Sequence, residues 1–151
     1  MKKAYNILKW VTFGVLLSSI LFFFLPYMSS GDEGYSGFKL LKESFDAGSW
    51  LAIEIIFRFV IPVILYIIGV LLIFKASFGK TLATAILSFV AFLLNVYGLS
   101  QYLENNSESI WNSSLGIGYY YNFIVAIIGI ALPIVMIIID KKSKSTDQIE
   151  E

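Results

Sequence analysis

The chain has 151 residues, 58% of them hydrophobic and 15% charged, with a net charge of zero. One domain is the natural division at this length, and a soluble domain of this size could not bury so much apolar side chain, so the excess must face lipid. Zero net charge gives no electrostatic reason for nucleic-acid binding. The lack of Cys and His excludes disulfides, Cys or His zinc ligands, the usual haem ligands, thiol nucleophiles and imidazole bases, so no metal or cofactor is expected.

A bilayer core about 30 Å thick is crossed by roughly 20 apolar helical residues. Four segments come close to that length, predicting an all-α membrane protein built as a four-transmembrane-helix bundle in a single domain, 1–151. The first span covers residues 7–25 and stops at Pro26. Its apolar run is too long for a usual signal peptide, and no small-x-small cleavage pattern precedes Pro26, so it reads as an uncleaved anchor. Its inward stripe is weak, with Val11, Gly14 and Ser18.

The first outer loop, residues 26–49, contains Gly31-Asp32-Glu33-Gly34, which is good turn chemistry, with Tyr35-Ser36-Gly37-Phe38 after it. Either a small extracellular β-hairpin or an irregular polar loop satisfies that pattern. Phe38, Leu41 and Phe45 then recur at i, i+3, i+7 among Lys39, Lys42, Glu43 and Asp46. That is the spacing of a short amphipathic helix lying in the interface, as a docking surface for a partner or a cap over the bundle. Gly48 breaks it, and Trp50 leads into the second span, residues 55–74.

The second span carries Glu54, Arg58, Pro62, Tyr66 and Gly69 along one face. A short turn, residues 75–80, leads to the third span at 81–99, where Thr84, Ser88, Ala91, Asn95 and Gly98 form a stripe. The second outer loop, 100–118, is rich in Asn and Ser. Its two glycosylation sequons, Asn105-Asn106-Ser107 and Asn112-Ser113-Ser114, are matches that such a composition produces by chance. The fourth span, 119–139, places Gly118, Asn122, Ala126, Gly129 and Pro133 on one face. Helices in lipid associate through small residues and interhelical hydrogen bonds, so these stripes should face inward, with Pro62 and Pro133 as kinks. The tail, 140–151, is polar and too short to fold alone.

Lysine placement orients the bundle. Lys2, Lys3 and Lys9, then Lys75 and Lys80, then Lys141, Lys142 and Lys144 fall on one side, while the opposite loops hold only Lys39 and Lys42. This predicts a multi-pass protein of the cell membrane with both termini cytoplasmic. Tyr27, Trp50, Tyr102, Trp111 and Tyr119-Tyr120-Tyr121 should mark the outer boundary.

Candidate binding residues are Glu54, Arg58, Asn95 and Asn122. At about 1.5 Å per residue, Arg58, Asn95 and Asn122 lie roughly 24, 22 and 26 Å up their spans, at similar height. Glu54, one turn from Arg58, is spaced for an ion pair that would lower the cost of an intramembrane charge. The four residues make either an outward-opening polar pocket or a structural clamp.

No catalytic constellation is visible: Gly116-Ile117-Gly118 is only G-x-G without a βαβ unit. The expected function is therefore non-enzymatic, a binding or accessory protein presenting its outer loops and polar cluster to an envelope component, a secreted peptide or a membrane partner. Immunity against a membrane-active bacteriocin and a subunit role in an oligomeric transporter or channel are alternatives. Membrane lipid is the other partner expected. Phe24-Leu25-Pro26-Tyr27, Tyr35-Ser36-Gly37-Phe38 and Gly116-Ile117-Gly118-Tyr119 resemble small four-span membrane proteins of low-GC Gram-positive bacteria that have no assigned function. The layout also resembles claudins, with a longer first outer loop, although the claudin tryptophan–glycine–leucine–tryptophan and paired-cysteine signature is missing.

Overall fold

The computed structural model describes residues 2–30, 33–48, 53, 56–75, 77–108 and 113–147. In chain order these form helix α1 (Lys2–Ser18), a 3₁₀ turn (Ser19–Phe23), strands β1 (Pro26–Ser30) and β2 (Glu33–Ser36), and helix α2 (Gly37–Ala47). A π-helical turn (Ile56–Val60) then leads into α3 (Ile61–Phe74), followed by α4 (Phe78–Glu108), β3 (Ser113–Leu115) and α5 (Ile117–Asp147). Among the described residues, four segments are long and apolar enough to cross a membrane: Lys2–Leu21, Ile56–Phe74, Phe78–Ser100 and Ile117–Thr146.

α1 packs against α3 and α5, and α4 packs against the same two helices. The stripes of the last three spans turn inward: Pro62, Tyr66 and Gly69, then Thr84, Ser88, Ala91, Asn95 and Gly98, then Gly118, Asn122, Ala126, Gly129 and Pro133 are all buried. The opposite faces show Leu71, Ile86, Leu93, Ile124 and Ile127 to the surroundings, with Leu71 69% exposed. That is the distribution a lipid solvent selects, since bulky aliphatics cost nothing against acyl chains and small residues let backbones approach.

α1 departs from the predicted stripe. Val11 and Gly14 face outward, and the buried face is Thr12, Leu16 and Ser19. The cause is a glycine-lined hole. A Cβ at Gly69 would lie 3.2 Å from Leu16 Cδ1, and one at Gly129 would lie 3.0 Å from Leu16 Cδ2. Leu16 fills the gap these glycines leave on α3 and α5, and that rotates α1 away from the face of Gly14, where a Cβ would meet nothing. The expected small-residue seam is replaced by one large residue seated in two absences. Of the predicted stripe, Ser18 bonds across to α5, its hydroxyl pairing with the Tyr121 hydroxyl.

Pro62 acts at the start of a helix. It has no N–H to give the carbonyl of Arg58 four residues back, and its ring crowds that carbonyl. The chain before it widens into the π-helical turn Ile56–Val60, and α3 begins at Ile61. Pro133 lies within the continuous α5.

At the end of the bundle away from the termini, β1 and β2 form the hairpin, pairing Ser30 with Glu33 and Met28 with Tyr35 in antiparallel register. The register shifts between Pro26 and Met28, as expected where a proline cannot donate to the ladder. β3, from the second loop, pairs antiparallel with the other edge of β1, Met28 facing Leu115 and Ser30 facing Ser113, so the order is β2-β1-β3. The sheet sits on the start of α5: a Cβ at Gly118 would lie 3.1 Å from the Pro26 carbonyl oxygen. A side chain there would push the strand back by a few tenths of an ångström.

Two further segments differ from expectation. The second loop is helical as far as Glu108, and the tail is helical as far as Asp147. A polar segment too short to nucleate a helix can propagate one already formed, because each added residue brings one hydrogen bond without a new nucleus.

Candidate functional site

Of the four candidate residues, Asn95 and Asn122 are hydrogen-bonded to each other. Glu54 lies outside the described residues, and with it the expected Glu54–Arg58 pair. Arg58 is half-buried in the π-helical turn. Its aliphatic stem runs beside Gly98, where an added Cβ would lie 3.9 Å from Arg58 Cδ. Its guanidinium carbon sits 5.7 Å from the centre of the Tyr97 ring, within reach of a cation–π attraction. The stem thus passes Gly98 on α4 with room for an ordinary contact, and Tyr97 supplies an electron-rich face for the charge.

Asn95 and Asn122 do meet, and two tyrosines join them. Asn122 Nδ2 donates to Asn95 Oδ1 at 3.2 Å, Asn95 Nδ2 donates to the Tyr66 hydroxyl at 3.5 Å, and Tyr66 donates to the Asn122 carbonyl at 3.2 Å. The three bonds close a ring through α3, α4 and α5. The Tyr119 hydroxyl donates to the Asn95 carbonyl at 3.0 Å. Tyr66, Asn95 and Asn122 are each 1% exposed and Tyr119 is 2% exposed, so the node is closed to the surface. One acceptor in it, Asn122 Oδ1, takes no hydrogen bond.

Sequence reasoning placed Tyr66 on the inward stripe without a role and assigned Tyr119 to the boundary belt. The helix separates the three consecutive tyrosines, turning Tyr119 inward, leaving Tyr120 57% exposed and Tyr121 half-buried. A step of 100° per residue requires such a split. The clue was present in the sequence, since Tyr119 lies three residues before Asn122 and so shares its face.

These groups are neutral amides, phenols and carbonyls. They can hold helices together and fix their rotation. Among the described residues, no three carboxylates gather into a set that could hold a metal ion. Interhelical hydrogen bonds in lipid contribute about 0.6 kcal/mol on average, up to about 1.7 kcal/mol. Asn95→Leu breaks two side-chain bonds of the ring and Asn122→Leu breaks one. We therefore expect Asn95→Leu to destabilise the bundle by about 1–2 kcal/mol, and Asn122→Leu by about half as much. The double substitution should cost less than the sum, because one bond is shared. Denaturation in mixed detergent micelles measures all three; strictly additive losses would show that the Asn95–Asn122 bond does not form.

The end carrying the sheet holds a second group. α2 is capped at its start by Ser36, whose hydroxyl accepts from the Lys39 amide at 3.3 Å, and it ends at Gly48, whose φ of 136° a side chain would resist. Gly37 and Ser44 are buried, and Leu40 packs on Phe59, Val63 and Tyr119. Phe38 and Phe45 point away from the protein, 64% and 60% exposed. The predicted apolar face of α2 is thus divided: Leu41 is half-buried on the bundle side, while both phenylalanines are presented outward. No protein-family model matches the chain, and no curated protein matches its sequence.

Proposed function

We propose that the chain is a non-enzymatic binding or accessory protein of the cell membrane, with both termini cytoplasmic, whose sheet-capped end faces outward and docks an envelope protein or peptide. The observation that carries this reading is the pair Phe38 and Phe45, held outward on a helix whose other face is anchored to the bundle. Beside them, two loops from different spans are joined in one sheet, which limits the ordering entropy a partner must overcome on binding. Two aromatic side chains two helical turns apart on one face are typical anchors for a partner surface. The buried Asn95–Asn122 node serves to fix the helices beneath that surface. It is closed off and offers a ligand no entry.

Photo-crosslinking in native membranes tests the reading. A benzophenone side chain at position 38 or 45 should give a discrete protein or peptide adduct, and the same probe at Phe89, 49% exposed on α4, should give lipid adducts. Lipid adducts alone at 38 and 45 would leave α2 as a membrane-surface cap. The orientation is checked separately with single cysteines. Positions 34 and 46 should react with an impermeant maleimide in intact cells, and position 142 only after permeabilisation; labelling of position 142 in intact cells would reverse the topology.

A further inference from the structure

At the end of the bundle that carries the termini, the first turns of α1 and the last turns of the α5 span leave a cleft of about 90 Å³. Lys2, Tyr5, Ile139, Asp140 and Ser143 line it. A smaller recess of about 10 Å³, room for about one water-sized group, shares Tyr5 and Asp140 with it and reaches Phe78 and Thr81. Thr81 is 1% exposed, and its hydroxyl has no hydrogen-bond partner. Asp140 binds Lys144 through Oδ2 at 2.9 Å. Lys3, Lys141 and Lys142, next in sequence to lining residues, are exposed, and the Lys141 ammonium lies 5.8 Å from the centre of the Phe78 ring.

We propose that this cleft binds the headgroup of an anionic phosphoglycerol lipid. The site lies where two apolar spans end, at headgroup height, and clefts between spans with basic surroundings suit anionic headgroups. Its wall is chemically mixed. Lys2, Tyr5 and Ser143 offer an ammonium and hydroxyl donors to a phosphate. The Asp140 carboxylate, with Lys144 balancing its charge, offers an acceptor to headgroup hydroxyls, and Thr81 adds a hydroxyl in the recess. A phosphate without hydroxyls would meet Asp140 as a repulsive neighbour, and a choline headgroup brings neither net charge nor a hydroxyl. The inference rests on the four membrane-spanning helices and is independent of the docking function proposed for the other end.

Thermal unfolding of the full chain in a neutral detergent, titrated with single lipids, tests it. Dioleoylphosphatidylglycerol should stabilise at a concentration about fivefold lower than dioleoylphosphatidic acid, and dioleoylphosphatidylcholine should have no effect. Lys2→Gln should raise the phosphatidylglycerol midpoint about fivefold, and Ser143→Leu, which fills the cleft, should do the same. Asp140→Asn should remove the preference over phosphatidic acid. Lys75→Gln/Lys80→Gln, at the same end but outside the cleft, should leave the midpoint unchanged. Equal stabilisation by both anionic lipids, or an equal loss in the Lys75/Lys80 variant, would mean diffuse surface attraction and overturn the proposal. Equal potency of soluble glycerol phosphate would overturn it as a lipid site.

Discussion

Leu16→Ala is expected to destabilise the bundle by about 1–3 kcal/mol. Leu16 is fully buried, and both of its methyl groups stand against glycine positions, Cδ1 toward Gly69 and Cδ2 toward Gly129. In a water-soluble core the same change costs about 2–5 kcal/mol, a figure that includes returning the side chain to water on unfolding. In lipid that transfer contribution is small, because an unpacked leucine meets acyl chains. What remains is the cavity: lost dispersion contacts on α3 and α5, which cannot close the gap because glycines line it. Unfolding in detergent reads the loss directly. Val11→Ala, on the outward face one residue from Thr12, should change stability little, and a loss as large as that of Leu16→Ala would contradict the observed rotation of α1.

Gly129→Ala tests the same joint from the opposite direction. An added Cβ would lie 2.5 Å from Ser88 Oγ and 3.0 Å from both Ser88 Cβ and Leu16 Cδ2. Rotation of the serine hydroxyl relieves only the first of these, and the other two involve a side-chain root and a fully buried leucine. Alanine favours a helix over glycine by about 1 kcal/mol, but overpacking of this kind costs about 1–3 kcal/mol and occasionally more. The contacts are short enough that overpacking should win, so a net destabilisation of about 1–2 kcal/mol is expected. Ser88→Gly should recover part of it by removing two of the three close neighbours, and Leu16→Ala should recover another part. Gly14→Ala is the control: nothing lies within 4 Å of its Cβ, so propensity alone acts and the substitution should be neutral or stabilising. A stabilising Gly129→Ala would mean that α4 and α5 can separate freely at that point.

The position of the spans was legible in the sequence because it depends on composition and length alone. Any helix of some twenty apolar residues satisfies its own backbone and can face lipid, and spans two to four overlap helices long and apolar enough to cross a membrane. Their inward faces were legible for a related reason, since small and polar residues at spacings of 3 and 4 can leave lipid only together. The hairpin was one of two readings that Gly31-Asp32-Glu33-Gly34 allowed, and β3 was not legible: Ser113-Ser114-Leu115 has no alternation and becomes a strand only because β1 offers it an unpaired edge. The face of α1 was also undecided locally. Gly14 and Ser18 made a plausible seam, and the holes at Gly69 and Gly129, on helices distant in sequence, selected Leu16 instead. The polar residues follow the same division. Burial of Asn95 and Asn122 followed from their stripes. Their closure into a ring with Tyr66, and the placement of Arg58 beside Gly98 and Tyr97, depended on how α3, α4 and α5 are rotated against one another. Local periodicity specifies which residues share a face of one helix, but packing against the neighbours decides which faces meet and at what height.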